Sequence, residues 1–440
     1  MAWPVEPVPG DATLRRRDDT PRFVGAHRLG AHARGARQVD RAERLQLHPA
    51  IFVFMIYMVM HKQTFQYRLY PTPAQATAMQ HALDECRWLY NRLLEERKLA
   101  WEETTTSVRL YDQVNRIPAL RGERPALGDV HSQVLQNVAA RIDLAFAAFF
   151  RRVRAGEKES GFPRFRGHGR YDSFCYPGSG HKVEARGDDT TKGRVFLSKI
   201  GHVKAVIHRP LEGNVKTCCV KRTATGKWYA TFSCEVEDAP LPATDAVVGI
   251  DVGLASFVTM SDGAEVTNPR FFRQDEAALA TAQRRLATEP RTPKGQRPTP
   301  ARRKRRKVVA RVHERIAQRR KDFAHQESRR IVNAHGVIAV EDLSVNRMVH
   351  NHCLAKSIAD AAWSLFAQFL SYKAASAGRQ FVAVNPAYTS QDCSRCGHRQ
   401  KLTLADRMYR CPCCGLEIGR DHNAAINIMT LGLQSLGARP

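Results

Sequence analysis

Three acidic residues stand where a buried strand or a helix meets a loop. Asp251 ends the apolar strand of 249–253, Glu341 ends the apolar strand 337–340, and Asp421 opens the last helix. A carboxylate in such a place beside other acids is costly unless positive charge joins it. Magnesium would supply that charge, because it prefers a few carboxylates together with waters and phosphate oxygens. The three acids therefore predict a site for two Mg²⁺ ions about 4 Å apart that hydrolyses a phosphodiester.

The order of the three acids along the chain favours one class of nuclease. A single acid at a strand end is weak evidence, since many strands end on Asp. Transposases and integrases with an RNase H-like core usually run Asp, Asp, Glu, whereas RuvC-type nucleases place the Glu second, as here. We expect Asp251 to bridge both ions, and Glu341 and Asp421 to hold one ion each.

Two Cys-x-x-Cys pairs separated by fourteen residues precede Asp421. Four thiolates from two turns are the usual ligands of structural Zn²⁺, so this spacing predicts one zinc ion. The predicted ligands are Cys393, Cys396, Cys411 and Cys414. Cys413 is surplus, and a redox role for the cysteines is the alternative interpretation. Because the second pair leads directly into the last helix, zinc would help to fix where that helix begins.

The chain is strongly basic, with 440 residues and a formal net charge of +26. Such a surplus indicates a polyanionic partner, and nucleic acid is the usual one. Eleven Lys or Arg lie between positions 302 and 321, and the segment 161–178 interleaves aromatic residues with basic ones. Arginine suits phosphate contacts, and exposed aromatic rings suit base stacking. The predicted nucleic-acid contacts are Arg164, Phe165, Arg166, Arg302, Arg303, Lys304, Arg305, Arg306, Arg311, Arg315, Arg319 and Arg320. The alternative for the first segment is a solvated basic face, and the alternative for the second is an edge of the β-domain with exposed charge.

Three segments with different hydrophobic patterns predict the elements that position these residues. The strand 64–70 is followed by helical periodicity over about 72–157, which opens with a capping box at Thr72. Short alternating strands over 160–240 predict a small β-barrel or sandwich that includes the first strand. From 246 onward the pattern becomes α/β, with a hairpin at 246–260 and a helix at 358–376.

The composition also bounds the location of the protein. No apolar run approaches the ~20 residues of a membrane span, so we expect no membrane partner. Five of the eleven cysteines crowd into 393–414, which favours zinc in a reducing, cytoplasmic compartment over a disulfide framework. Cys86, Cys175 and Cys353 are predicted to be small core residues.

Residues 1–57 show neither a helical nor a strand period, which predicts a disordered extension. One hypothesis is that the natural start lies at Met58 or Met60.

Several blocks of the sequence closely resemble the TnpB (OrfB) proteins of insertion sequences, relatives of type V CRISPR effectors. The resemblance covers about 60–430. The blocks include FQYRLYPTPAQ, GFPRFRGHGRYDSF, GIDVGLASFVT, VEDLSV, YTSQDCSRCGH and CPCCGLEIGRDHNAAINI. The last two are highly specific. The first 57 residues have no counterpart in the family, and Gly419 stands where many members carry an acid.

The resemblance implies an RNA-guided DNA endonuclease. Such proteins bind a guide RNA made from the transposon end, recognise a short motif beside the double-stranded target DNA, and cut both strands at one RuvC-like site. It also implies that Asp251, Glu341 and Asp421 are catalytic and that the four cysteines bind zinc.

The implied fold class combines α/β, all-β and helical parts, with a RuvC/RNase H-like core that carries a zinc-knuckle insert. The implied domains are a β-barrel wedge domain (58–71 and 160–245), an inserted helical recognition lobe (72–159) and a nuclease domain (246–440) with its zinc insert at 388–418.

Two alternatives to the nuclease stay open. A guided or direct DNA-binding regulator, or an accessory to transposition, would keep the acids without cleaving. A strand-transfer transposase is disfavoured by the Asp, Glu, Asp order and by the lack of a His-hydrophobic-His pair for a tyrosine-type mechanism.

Overall fold

The structure, a computed structural model, describes most of the chain after the first 59 residues. It covers residues 60–437 apart from 158, 186–191, 239, 294–295 and 404. The prediction made for residues 1–57 lies outside this part of the chain.

The first layer is a seven-stranded antiparallel sheet. Its strands are β1 (Met60–Tyr70), β2 (Ser173–Pro177), β3 (His181–Ala185), β4 (Lys192–Leu197), β5 (Gly201–Val206), β6 (Asn214–Arg222) and β7 (Trp228–Glu237), in the order β2-β6-β7-β1-β5-β4-β3. The long strand β1 lies in the middle, with Phe65 opposite Phe232 of β7. Only three residues join the two edge strands β2 and β3, so the sheet curls into a near-barrel.

Three helices lie between β1 and β2 in the sequence: α1 (Pro73–Thr104), α2 (Leu110–Glu123) and α3 (Ser132–Arg154). The predicted capping box is present, with Thr72 Oγ1 accepting from the Gln75 amide at 3.3 Å. The sequence prediction did not separate α2, which contains Pro118. Helices and sheet share one core, in which Leu89, Val138 and Phe232 are fully buried.

The structure corrects two of the three predictions for isolated cysteines. Cys86 is buried in the shared core, as predicted. Cys175 instead forms a disulfide with Cys219, because the register of β2 and β6 sets the two residues directly opposite each other. Cys353 is exposed, in the irregular stretch that precedes Ala355.

The second layer is a mixed five-stranded sheet. Its strands are β8 (Val247–Val252), β9 (Ser256–Met260), β10 (Glu265–Thr267), β11 (Val337–Glu341) and β12 (Gln380–Val384), in the order β10-β9-β8-β11-β12. The pair β8–β9 is the predicted antiparallel hairpin, whereas β8, β11 and β12 run parallel. Alternation places Val248, Ile250 and Ile338 on one face, where they are fully buried.

Five helices lie between β10 and residue 377 in the sequence: α4 (Phe271–Ala287), α5 (Pro300–Ala334), α6 (Val345–Met348), α7 (Ala355–Ala361) and α8 (Trp363–Ser376). Phe366 and Leu370 of α8 pack on the buried face of the sheet. The single helix predicted over 358–376 is broken at Ala362, whose backbone has φ 56°. Val312 and Ile316 of α5 form an apolar seam that packs against Leu279 of α4.

The chain ends with a two-stranded hairpin, β13 (Met408–Arg410) and β14 (Glu417–Gly419), and with helix α9 (Arg420–Ser435). Helix α9 covers the other face of the five-stranded sheet, contacting β8, β11 and β12. No helix among the described residues has both the length and the apolarity that a bilayer span requires.

Candidate functional site

The two parallel strands β8 and β11 bring two of the predicted acids together. Their register pairs Ile250 with Val340, so Asp251 and Glu341 occupy the next neighbouring positions. Neighbouring strands lie about 4.8 Å apart, and side chains at equivalent positions share a face. That face is the one covered by α9, because Val248 and Ile250 face the opposite core.

Helix α9 contributes the third acid, because it approaches the sheet unusually closely. A Cβ on Gly249 of β8 would collide with the carbonyl oxygen of Ala425, and a Cβ on Gly432 would collide with Ala339 of β11. Glycine at both points lets the helix lie directly on the strands. Asp421 in the first turn of α9 is thereby close enough for its charge to act on Asp251.

The three acids Asp251, Glu341 and Asp421, called the carboxylate cluster, are electrostatically unfavourable in their charged forms unless positive charge is added. Burial, followed by the negative charges of Glu341 and Asp421, raises the pKa of Asp251 to about 8. Burial also raises the pKa of Glu341, while a hydrogen bond from Thr389 acts in the opposite direction. A buried acid whose pKa is raised by burial and by neighbouring acids, as that of Asp251 is, marks a site that favours cations.

One cation of the chain already lies beside the cluster. Arg420 contacts Asp421 Oδ1 through Nε at 3.1 Å and through Nη2 at 3.0 Å. Its charge lowers the pKa of Asp251, but less than the two neighbouring acids raise it. The cluster therefore keeps a deficit of positive charge, and its donor set of carboxylate oxygens fits Mg²⁺.

The four predicted thiols form a cysteine cluster next to this site. The Sγ atoms of Cys393, Cys396, Cys411 and Cys414 all lie within 4.8 Å of one another. The distances from Cys393 to Cys414 and from Cys396 to Cys411 are 3.6 and 3.5 Å. A tetrahedral zinc ion with bonds of about 2.3 Å requires sulfur separations of about 3.8 Å, so the four thiols fit zinc. Cys413 is exposed and lies outside the cluster.

Two tight turns and a small apolar core hold the cysteine cluster together. Gly397 and Gly415 follow the two pairs with φ of 75° and 69°, a left-handed conformation that favours glycine. Tyr409 is fully buried beneath the thiols, and its hydroxyl lies 2.9 Å from the His398 carbonyl and 3.1 Å from the Gln391 carbonyl, either of which can accept its proton. Strand β14 then leads directly into α9, as the sequence predicted for the approach to Asp421.

The predicted nucleic-acid contacts on helix α5 fall into two groups: those that pair with other groups of the chain, and those that do not. Toward its C-terminal half, Arg315 and Arg319 contact the buried carboxylate of Asp275, and Arg320 contacts that of Asp360. These three arginines serve the fold in this structure. At the N-terminal end, Arg302 donates to the Glu289 carbonyl, and Arg305 lies 3.7 Å from the Glu289 carboxylate.

The four remaining predicted contacts on α5 are exposed. They are Arg303, Lys304, Arg306 and Arg311. Among the residues that the structure describes, no carboxylate lies within ion-pair distance of these four. They are therefore the part of α5 whose charge is available to a polyanion.

The predicted contacts of the segment 161–178 lie on the surface, near α1. Phe165 is 52% exposed, and Arg164 is exposed beside it. Asn91 holds the backbone of Arg166 through two hydrogen bonds of 2.7 and 3.0 Å. The Arg166 guanidinium also lies 5.4 Å from the ring centre of Tyr90. This arrangement fixes the backbone and leaves a ring and two cations facing solvent.

Sequence reasoning missed the residues that connect the two clusters. Thr389 donates to Glu341, and Asn423 and Asn427 donate to the loop between β12 and Cys393. A signal for them was present, since two asparagines spaced by four residues share one face of a helix. Asp275 and Asp360 carried no comparable signal, because their arginine partners lie 40 or more residues away.

Comparison with known proteins gives three family matches. A family described as "Probable transposase" (OrfB of IS605) matches residues 231–352, a "Cas12f1-like, TNB domain" matches 363–428, and a "Helix-turn-helix domain" matches 58–106. The second match contains the four thiols and Asp421, and the first contains Asp251 and Glu341. In the described part of 58–106 the structure has strand β1 followed by the single helix α1.

Two bacterial relatives match along most of their length, and both are named "Putative RNA-guided DNA endonuclease". The protein of Streptomyces pristinaespiralis is 36% identical, over 84% of this chain and 90% of the relative. InsQ of Escherichia coli K12 is 30% identical, over 84% of this chain and 92% of the relative. The chain therefore belongs to the TnpB (OrfB) family of insertion-sequence proteins, as its motifs predicted.

A solved structure supports the fold. The structure described as the mini-RNA-guided endonuclease CRISPR-Cas phi3 matches with a TM-score of 0.50 at 9% identity, covering 85% of this chain and 92% of that chain. At this level of identity the match concerns the fold alone. It agrees with the mixed α/β architecture described above.

Proposed function

We propose that the protein is an RNA-guided DNA endonuclease that hydrolyses phosphodiester bonds of target DNA at the carboxylate cluster. The observation that carries this proposal is the convergence of Asp251, Glu341 and Asp421 at the carboxyl ends of β8 and β11 and the start of α9. The positive charge beside these three acids is too small to balance them. Binding of nucleic acid does not need such a cluster, whereas hydrolysis assisted by two metal ions needs carboxylates that hold the ions.

The residues would act together as a holder for two Mg²⁺ ions. Bound there, the ions would activate a water and stabilise the leaving oxygen of the phosphodiester. The charges of Glu341 and Asp421 both act on Asp251, so Asp251 is suited to contact both ions. Glu341 and Asp421 would contact one ion each. The segment 393–419, which carries the four thiols and ends with strand β14, is called the cysteine hairpin. Arg420 holds Asp421 from the side of the cysteine hairpin, where its Nη1 also donates to the Thr403 carbonyl at 3.1 Å.

The four thiols would hold one Zn²⁺ ion with a structural role. The cysteine hairpin ends at Gly419, and α9 begins at the next residue. A folded hairpin therefore fixes the first turn of α9 and with it the carboxylate of Asp421. This role needs a closed site with four protein ligands, which the cysteine cluster provides.

The proposed partners are a transposon-derived guide RNA and double-stranded target DNA. The names of the relatives support this assignment. The exposed basic residues of α5 and the ring of Phe165 supply suitable chemistry, since phosphate contacts give affinity without sequence. Base pairing with the guide would then read the target sequence.

We also propose a division into domains. Residues 58–71 with 160–245 form the wedge domain, 72–159 form the recognition lobe, and 246–440 form the nuclease domain.

The test is cleavage of a guided duplex by protein copurified with RNA from its native flanking DNA. Asp251→Asn keeps the shape and removes the charge, and we expect it to abolish cleavage while RNA binding is retained. Asp245→Asn is the matched control, because Asp245 is exposed and lies just before the same strand. We expect this control to cleave like the wild type.

Two results would contradict the proposal. Cleavage by Asp251→Asn at the wild-type rate would remove the carboxylates from the mechanism. Guided binding of DNA by the wild type without cleavage, at any Mg²⁺ concentration, would favour a regulator that keeps the acids.

A further inference from the structure

Thr389 lies between the two clusters. Only 4% of it is exposed, and its Oγ1 donates to Glu341 Oε1 at 2.5 Å. The same hydroxyl lies 3.2 Å from the Pro386 carbonyl. A hydroxyl has one proton to donate, and a carboxylate is the stronger acceptor. The shorter contact is therefore the one that matters, and it leaves the second oxygen of Glu341 free for another ligand.

Helix α9 holds the backbone of Thr389 in place. Asn427 Nδ2 donates to the carbonyls of Thr389 and Asp392 at 2.8 and 2.7 Å. Asn423, which is fully buried, donates to the Asp392 carbonyl at 2.8 Å and accepts from the Ser394 amide at 2.9 Å. The two asparagines thus bind the loop that runs from Thr389 to the first thiol of the cysteine cluster.

The backbone next to Thr389 is itself unusual. Tyr388 has φ 68°, a left-handed conformation that is rare for a bulky residue. Such a conformation persists only where the surroundings determine the chain path strongly. The loop is therefore built to present the Thr389 side chain in one orientation.

We propose that Thr389 is the positioning residue of Glu341, and that Asn423 and Asn427 tie its position to the cysteine hairpin and to α9. This inference rests on the proposed function, because it assumes that Glu341 holds a metal ion. The hairpin would then position two of the three acids: Asp421 through the start of α9, and Glu341 through Thr389. Hydrogen-bonded partners of a ligating carboxylate typically contribute about 10–100-fold in metal affinity or activity.

The test measures binding of Mn²⁺, a paramagnetic substitute for Mg²⁺, to the full chain freed of nucleic acid. Thr389→Val keeps the shape and removes the hydroxyl, and we expect it to weaken Mn²⁺ binding about tenfold. Thr389→Ser restores the hydroxyl and should bind within about twofold of the wild type. Thr430→Val is the control, since Thr430 donates only to the Ile426 carbonyl within α9. Zinc content and thermal unfolding report whether each variant is folded.

The outcomes separate the two proposals. Unchanged Mn²⁺ binding by folded Thr389→Val, with binding lost in Asp251→Asn, would overturn the positioning role alone. Equal binding by the wild type and Asp251→Asn would overturn both the metal site and the positioning role. Should Thr389→Val not fold, Asn427→Ala becomes the deciding variant: weaker binding supports the link from α9 to Thr389, and wild-type binding overturns it.

Discussion

The α/β half of the molecule contains two sets of poorly exposed acids with opposite surroundings. Asp275 and Asp360 are each 7% exposed and are paired with arginines of α5. The carboxylate cluster has only Arg420 among the described cations in ion-pair contact with any of its acids, and the pKa of Asp251 rises to about 8. The first set has its counter-charges within the chain. The second set is arranged for positive charge from outside the chain.

This difference distinguishes acids that are paired within the chain from acids that the proposed function assigns to metal binding. Removing one partner from a buried ion pair is destabilising, because it leaves an uncompensated charge. Removing one acid from a group of like charges relieves repulsion, at the expense of whatever the group binds. The two sets should therefore respond to the same Asp→Asn change with opposite signs.

The largest expected difference concerns cleavage. We expect Asp421→Asn to reduce guided cleavage about a thousandfold or more, because a metal site of this kind supplies several kcal/mol of barrier lowering. Asp275→Asn should stay within about threefold of the wild type where both are folded, since Asp275 lies outside the cluster. A loss of similar size in folded Asp275→Asn would break the comparison. Single-turnover rates with saturating guide provide the measurement.

The turn that carries the second cysteine pair allows a second comparison, between a cysteine of the cluster and one outside it. We expect Cys411→Ser to lose zinc and to cleave about 10–100-fold more slowly, since the hairpin then holds neither α9 nor Thr389 firmly. Cys413→Ser is the control, because Cys413 is exposed and outside the cluster. It should keep one zinc per chain and full activity. Zinc content and cleavage rate measured on the same samples decide the matter.

Stability should fall when a structural acid is changed. Asp360 accepts from the Phe272 amide at 2.9 Å and from Arg320 Nη2 at 2.7 Å. Asp360→Asn should therefore lower the free energy of unfolding by about 1–3 kcal/mol. Urea denaturation followed by circular dichroism measures this change. An unchanged or raised midpoint would show that the pairing contributes nothing to stability.

Stability should rise when an acid of the cluster is changed in metal-free protein. Asp251 has a folded-state pKa of about 8, raised from an ordinary value of 3.8. The proton therefore stabilises the folded state at low pH, and this contribution is lost as the pH rises through about 8. Asp251→Asn should melt higher than the wild type in buffer without Mg²⁺ at pH 8, by about 2–4 °C for each kcal/mol of burial and repulsion cost relieved. The difference should shrink toward pH 4, and a constant or reversed difference would contradict the argument.

The smallest expected effects lie on α5, where the same residue type has two environments. Arg306→Ala removes an exposed cation, so the slope of log K against log salt for nucleic-acid binding should decrease by about 1, with unchanged stability. Arg320→Ala should instead lower stability, because it leaves the buried Asp360 carboxylate without its partner. Binding titrations at several salt concentrations, with thermal melts of both variants, test this. Equal salt slopes for Arg306→Ala and the wild type would exclude Arg306 as a phosphate contact.

Much of the local structure could be predicted because its causes are local. The capping box at Thr72 and the hairpin of β8 and β9 follow from residues that are close in sequence. The break at Ala362 was missed, because the left-handed residue there is not a glycine and the apolar pattern continues through it. The disulfide of Cys175 depends on strand register between segments 44 residues apart, which no local pattern reveals.

By itself, the sequence determined the kinds of chemistry present. Thiol spacing and the glycines after each pair define the cysteine cluster, since its ligands come from two short turns of one hairpin. The acids at the strand ends and the family motifs were likewise readable. Only the tertiary structure decided which charges are compensated. It placed Arg320 on Asp360 and Thr389 on Glu341, and it left the carboxylate cluster short of cations. Those pairings join segments 40 or more residues apart, so they depend on how helices and strands pack.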